Sequence, residues 1–170
     1  MRLNLRHFFL LIIEMRFFFT VIAGAFALDQ TSKLYVLHGL NLAEIGQIDI
    51  LPPVLNFRMA WNYGMNFGLF AQDSPLTRWL LIVIATAITL FVMVWILRSQ
   101  PNKRTLLAAG FLIGGALGNI VDRVVYGAVV DFLNTSCCGI NNPYAFNIAD
   151  IEIFLGAVLI AVFGEDKKAA

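Results

Sequence analysis

Four stretches of this chain stay apolar for longer than the core element of a soluble domain needs, and polar residues gather between them. From Trp79 to Leu97, 19 residues pass without a charge, close to the roughly 20 that a helix needs to cross a ~30 Å hydrocarbon core. Trp79 and Trp95 stand near its two ends, as in an interfacial aromatic belt, and Arg98, Ser99, Gln100 and Pro101 close it in a polar turn. Thr105 to Val121 is a second uncharged run, 17 residues long, with Gly110, Gly114 and Gly118 at four-residue spacing. One helix face there is nearly bare backbone, which predicts close packing on a neighbouring helix. Phe146 to Phe163 is a third run, and Phe17 to Leu28 becomes a fourth when extended back through Met15 and forward past Asp29. The pattern predicts an all-α membrane protein with four transmembrane helices, at about 15–34, 79–97, 105–121 and 146–163.

Between the first two spans lies a long connection containing NFRMAWNYGMNFGLF. Alternation around Asn56 to Trp61, followed by a glycine-containing turn, predicts a short outer β hairpin with Asn62 in its turn. The expected fold is therefore a helical bundle with a small β-containing outer subdomain in that connection. Arginines, an apolar stretch and the small residues Ala25 and Ala27 are also the ingredients of a cleavable signal peptide. Glu14 and Arg16 interrupt the apolar run, however, and more apolar residues follow DQTSK, so an uncleaved first span is expected. Residues 1–14 then form an N-terminal cytoplasmic extension or reflect an upstream start, 15–164 a single integral-membrane domain, and 165–170 a cytoplasmic tail.

Composition agrees with the pattern: 59% of the 170 residues are hydrophobic and 14% charged, with a mean hydropathy of +0.78, far from a soluble domain. A net charge of +1 without blocks of like charge points away from a nucleic-acid partner. Cys137 and Cys138 are adjacent, so they form neither a disulfide framework nor a metal-ligand spacing, and His7 and His38 are isolated. Charge does fix an orientation. Arg2, Arg6 and Arg16 precede the first span, Arg98, Lys103 and Arg104 join the second to the third, and Lys167 and Lys168 end the chain. Lys33, Arg58, Arg78 and Arg123 are spread over the two long connections. The positive-inside rule then places both termini in the cytoplasm and both long connections outside.

Acids at the outer ends of the spans are the unusual feature, because a carboxylate at the edge of hydrocarbon is expensive and usually faces a partner, a cavity or a substrate path. Asp122 is followed at once by Arg123, and the pair is expected to be a helix-end ion pair. Asp131 in VVDFLN and Asp150 in FNIADIEIF have no basic residue within three positions on either side. Two such acids at one depth suit a dyad, in which close carboxylates share a proton and divide the work of general base and general acid. An intramembrane ion or proton path and a structural role fit the same spacing.

The blocks LDQTSK, AWNYGMNFGLF, GGALGNIVDR, VVDFL and FNIAD, in this order among four spans, resemble the bacterial lipoprotein signal peptidase family, also called prolipoprotein signal peptidase or signal peptidase II. The likeness runs from about Met15 to Phe163. It implies an aspartic endopeptidase of the inner membrane that removes signal peptides from diacylglyceryl-modified prolipoproteins by cutting just before the lipidated cysteine. By the same resemblance Asp131 and Asp150 are the catalytic pair. Asp29, Asn62, Asn119, Asp122, Arg123 and Asn147 are the supporting or substrate-binding residues. No metal or other cofactor is expected, and the partners are the lipidated precursor and membrane lipid, with the enzyme a monomer. The segments MNFG and TSCCGINNPY depart from the family's usual pattern without touching a catalytic position. Two rivals are a small proton-coupled transporter, which more often shows repeats or broken helices near the midplane, and a non-enzymatic membrane scaffold.

Overall fold

A computed structural model describes residues 5–64, 75–99, 101–136 and 142–164, with side chains from Leu11 onward. The expectations for Met65 to Phe70, for Cys137 and Cys138, for the His7 side chain and for the tail with Lys167 and Lys168 fall outside the described residues. Helix α1 spans Leu5–Leu34 and passes through a π turn, Tyr35–Gly39, to the short helix α2, Leu42–Ile45. Strands β1, Gln47–Leu51, and β2, Leu55–Asn62, follow. Helices α3, Pro75–Arg98, and α4, Lys103–Tyr126, then lead to strand β3, Val129–Thr135, and helix α5, Ile148–Phe163.

Three of these helical stretches, Leu11–Gly39, Pro75–Arg98 and Lys103–Tyr126, are long and apolar enough to cross a membrane. Such runs become helices because hydrocarbon offers no partner to a backbone amide, so every bond must close within the segment. Helix α5 has 16 residues and is shorter than the expected span. The first helix begins earlier than expected, and α4 continues past Val121 to Tyr126, carrying the helix through Asn119, Asp122 and Arg123.

The middle of the bundle is α4, and glycine sets its contacts. A Cβ on Gly110 would lie 2.5 Å from a Val21 methyl, and one on Gly114 2.6 Å from the Ala25 Cβ, so this face admits α1 only as bare backbone. On another face, Gly115 receives the Ala149 carbonyl of α5, and Gly156 of α5 receives the Ala108 carbonyl of α4. The four-residue glycine spacing thus does what the sequence predicts. Away from these seams, Phe18, Ile22, Ile96, Leu106, Ala109 and Ile113 form an apolar cluster that joins α1, α3 and α4.

The sheet is antiparallel in the order β1-β2-β3. It includes the expected strand around Asn56 to Trp61, but that strand pairs upstream with β1 through the turn at Pro52 and Pro53, not with a strand beyond a turn at Asn62. Strand β2 runs through Asn62, and the segment expected to return, from Met65, lies outside the described residues. The sheet is also not confined to the first connection, since β3 belongs to the second. Its residues Val129 to Phe132 are all buried, so the alternation that reveals a half-exposed strand is missing from VVDFL. A bulge between Phe57 and Ala60 precedes the pairing of Ala60 with Asp131. Such an extra residue re-aims the side chains beyond it. Phe57 and Phe132 meet edge to face at 5.5 Å on the sheet side that covers Val36 and Leu42.

Candidate active site

The chain places an asparagine immediately before α5, and that residue organises the site. Asn147 has extended backbone angles, and its Oδ1 accepts the Asp150 amide at 2.9 Å while the Asp150 Oδ2 accepts the Asn147 amide at 3.2 Å. This reciprocal capping box satisfies two amides that a helix start leaves without a partner. It also fixes the Asp150 side chain at the helix N-terminus, where the dipole favours negative charge. The Nδ2 of the same asparagine donates to Asp131 Oδ1 at 2.6 Å. One side chain therefore holds both acids.

Each carboxylate oxygen has an amide donor. Asp131 Oδ2 accepts from Asn62 Nδ2 at 3.0 Å, and Asp150 Oδ1 accepts from Asn119 Nδ2 at 3.0 Å. Asn62 is shaped in turn by an Asx bond, its Oδ1 accepting from the Gly64 amide at 3.2 Å. Asp131 is buried and Asp150 half-buried. Burial, reinforced by the neighbouring Asp150 charge and opposed by the bonds from Asn62 and Asn147, pushes the Asp131 carboxyl up to about 7.

Beneath the pair lies a cation that counting charges along the sequence assigns to a connection. Lys33 is buried in the last turn of α1, and its ammonium lies 2.8 Å from Asp29 Oδ2, 2.8 Å from Asp122 Oδ2 and 3.0 Å from Asn119 Oδ1. Its three donors are thereby all engaged. Asp29 Oδ1 reaches across to accept the Ala149 amide at 3.1 Å, tying α1 to the first turn of α5. Gln30 donates to Asp122 Oδ1 at 3.0 Å and to the Gly118 carbonyl at 3.3 Å. Asn119 links the two layers: its Oδ1 accepts from Lys33 and from Asn147 Nδ2, and its Nδ2 donates to Asp150.

The expected ion pair between Asp122 and Arg123 is not formed. Successive residues on a helix point about 100° apart. Asp122 turns inward to Lys33 and also accepts the Val130 amide at 3.1 Å, anchoring the start of β3. Arg123 instead donates to the Asn119 carbonyl at 3.3 Å and to the Gly64 carbonyl at 3.2 Å, reaching toward the loop after β2. All eight residues singled out from the sequence, Asp29, Asn62, Asn119, Asp122, Arg123, Asp131, Asn147 and Asp150, thus fall in one connected cluster. Lys33 and Gln30 are the members that sequence reasoning missed. The i,i+4 spacing of Asp29 and Lys33 within LDQTSK was the available signal. Among the described residues no group of three or more His, Cys, Asp or Glu side chains is arranged to hold a metal ion.

Chemically, two carboxyl groups held by neutral amides at the mouth of a helical bundle can share one proton and act on a bound water. Comparison with known proteins identifies the family. The profile of the family described as Signal peptidase (SPase) II matches residues 21–164. A lipoprotein signal peptidase of Shewanella halifaxensis is 42% identical over 154 residues, covering 87% of this chain and 88% of the relative. One from Methylorubrum extorquens is 41% identical over 132 residues, covering 78% and 75%. A solved bacterial membrane enzyme, determined by the in meso method at 1.9 Å resolution, superposes with a TM-score of 0.72 at 26% identity over 89% of this chain and 94% of that one.

Proposed function

Because this chain belongs to the lipoprotein signal peptidase family, the aspartic-type peptidases that remove signal peptides from prolipoproteins, we propose that Asp131 and Asp150 are its catalytic pair. The observation that carries this reading is the double role of Asn147, which caps the helix that presents Asp150 while bonding Asp131. One carboxylate takes a proton from a water whose oxygen attacks the scissile carbonyl carbon. The other, protonated, donates to the carbonyl oxygen, so a neutral tetrahedral intermediate forms. Its collapse breaks the C–N bond as a proton passes to the departing nitrogen, which becomes the new amino terminus. The pair shares a single proton throughout, so the roles of acid and base belong to the pair. Asn62, Asn119 and Asn147 orient the carboxylates. Lys33, itself held by Asp29 and Asp122, fixes Asn119, and Arg123 holds the loop beyond Asn62.

The substrate carries a diacylglyceryl group on the cysteine that becomes the new N-terminus, and its apolar signal helix stays in the bilayer while the scissile bond meets the dyad at the outer interface. Four crossings are part of this reading. At 1.5 Å per residue α5 is about 24 Å long, short of the core thickness, with its outer end sunk beneath the sheet. Arg98, Lys103 and Arg104 between α3 and α4 support a cytoplasmic location for that turn and for both termini in the inner membrane. The enzyme acts as a monomer. Reporter fusions after Arg98 and within Asp49's strand test the orientation, and an outside signal at Arg98 would reverse it. For the chemistry, purified protein in bilayers is given a precursor with and without the diacylglyceryl group. A new N-terminus at the modified cysteine of the lipidated precursor supports the reading, and cleavage elsewhere or none at all overturns it.

A further inference from the structure

The turn between β1 and β2 reads Ile50-Leu51-Pro52-Pro53-Val54, and all five residues are exposed, with Ile50 45%, Leu51 62% and Val54 47% accessible. Five consecutive exposed apolar residues are not what a water-facing turn carries. The tip is held in shape: the Val54 amide donates to the Leu51 carbonyl at 2.8 Å, and the Val54 carbonyl accepts the Ser136 amide at 3.1 Å. No charge occurs from Ile50 to Phe57, while the exposed Asp49 and Arg58 flank the segment.

The path of β3 locates this tip. The strand starts beside the end of α4, where the Val130 amide meets Asp122, and Leu133 then pairs with Phe146, just before α5 begins. The sheet therefore runs across the ends of the helices, along the plane of the bilayer. Leu55 pairs with Thr135, so the turn projects beyond the start of α5. From its first turn, α5 exposes an apolar flank that begins with Ile151 and continues through Phe154 and Val158.

We propose that the Ile50–Val54 turn is a membrane anchor, its aliphatic side chains inserted among the lipids of the outer leaflet, so that the sheet bearing Asp131 is held at a fixed depth. The occupant is lipid because the turn belongs to a sheet lying over the ends of helices long and apolar enough to cross a bilayer, and because it lacks any charge to complement on a protein partner. A turn of this size reaches the boundary of headgroups and acyl chains, about 5–10 Å deep. The proposal rests on the reading that α1, α3 and α4 cross the bilayer with the sheet outside.

Depth is measurable with nitroxide labels at Leu51→Cys and Val54→Cys, in a protein carrying Cys137→Ser and Cys138→Ser and reconstituted in phosphatidylcholine and phosphatidylglycerol liposomes. Phe91→Cys, from a residue 73% exposed on α3, is the lipid reference, and Arg58→Cys the water reference. Labels at 51 and 54 that collide with oxygen in preference to a water-soluble nickel chelate, as at 91, support the proposal. Behaviour like that of position 58 overturns it. Dipolar broadening between labels on two molecules also overturns it, in favour of a second copy covering the turn. Nickel access at position 91 removes the membrane-crossing reading itself and this proposal with it.

Discussion

Lys33→Met removes the only cation that touches Asp29 and Asp122 among the described residues while keeping most of the side-chain volume. The ammonium lies within 2.8 Å of one oxygen of each carboxylate and 3.0 Å from the Asn119 carbonyl oxygen. Losing it leaves two buried acids facing each other and one amide oxygen a donor short. Removing one partner of a buried ion pair costs about 3–5 kcal/mol. At about 1.4 kcal/mol per decade this is roughly a hundred- to several-thousand-fold in the unfolding equilibrium. Unfolding of the purified variant in detergent micelles, followed by tryptophan emission, reads the change. The triple variant Lys33→Met, Asp29→Asn, Asp122→Asn separates charge from packing, because its two amides no longer repel, and it should recover a large part of the loss. Cleavage by Lys33→Met should also fall, since Asn119 loses the contact that orients it toward Asp150. A Lys33→Met protein within about 1 kcal/mol of wild type, or a triple variant no more stable than the single one, would refute the argument.

Three further outcomes follow from the same geometry. The Asp131 carboxyl titrates near 7 when folded and near 3.9 when unfolded. The folded protein therefore binds the extra proton between these values, and stability falls as pH rises through that window, by about 4 kcal/mol at most. Asp131→Asn should accordingly be more stable than wild type at pH 8 and lose that advantage by pH 4, and the opposite trend in unfolding midpoints would contradict the assignment. Gly114→Leu places a side chain where the Ala25 Cβ and the Ile22 carbonyl already lie within 2.8 Å, so the yield of folded protein should drop, and a normal yield and melting profile would contradict the close α1–α4 contact. Glu152 is buried in α5 with no hydrogen-bond partner for either oxygen among the described residues. Glu152→Met should therefore stabilise the protein by about 1–3 kcal/mol, and a destabilised variant would show that the carboxyl has a partner.

The apolar runs made α3 and α4 legible because a hydrocarbon crossing leaves a long, uncharged signature, and the glycines of α4 foretold the face on which α1 rests. Asp131 and Asp150 were legible as acids without local partners, yet what holds them was not. The Asn147 cap is local and written in the spacing of FNIAD. The bond from Asn147 to Asp131 depends on β3 lying over the start of α5. That strand was hidden because burial on both faces erases alternation. Lys33 was misassigned for a related reason: a charge at the end of an apolar run reads as a solvated boundary, and only the approach of α4 converts it into the centre of a buried network. Adjacency misled in the case of Asp122 and Arg123, whose side chains leave the helix in different directions.

Whether Asp131 and Asp150 act as one unit is read from the cleavage rates of Asp131→Asn, Asp150→Asn and the double variant. Each protein is first shown to be folded, then given a diacylglyceryl-modified precursor in bilayers, and release of the signal peptide is followed by mass. Each single change should lower the rate by roughly a hundredfold or more, and the double change should cost little beyond either one, because the pair works only when both members are present. A folded single variant that cleaves at close to the wild-type rate, or a double variant whose loss equals the product of the two single losses, would contradict the account.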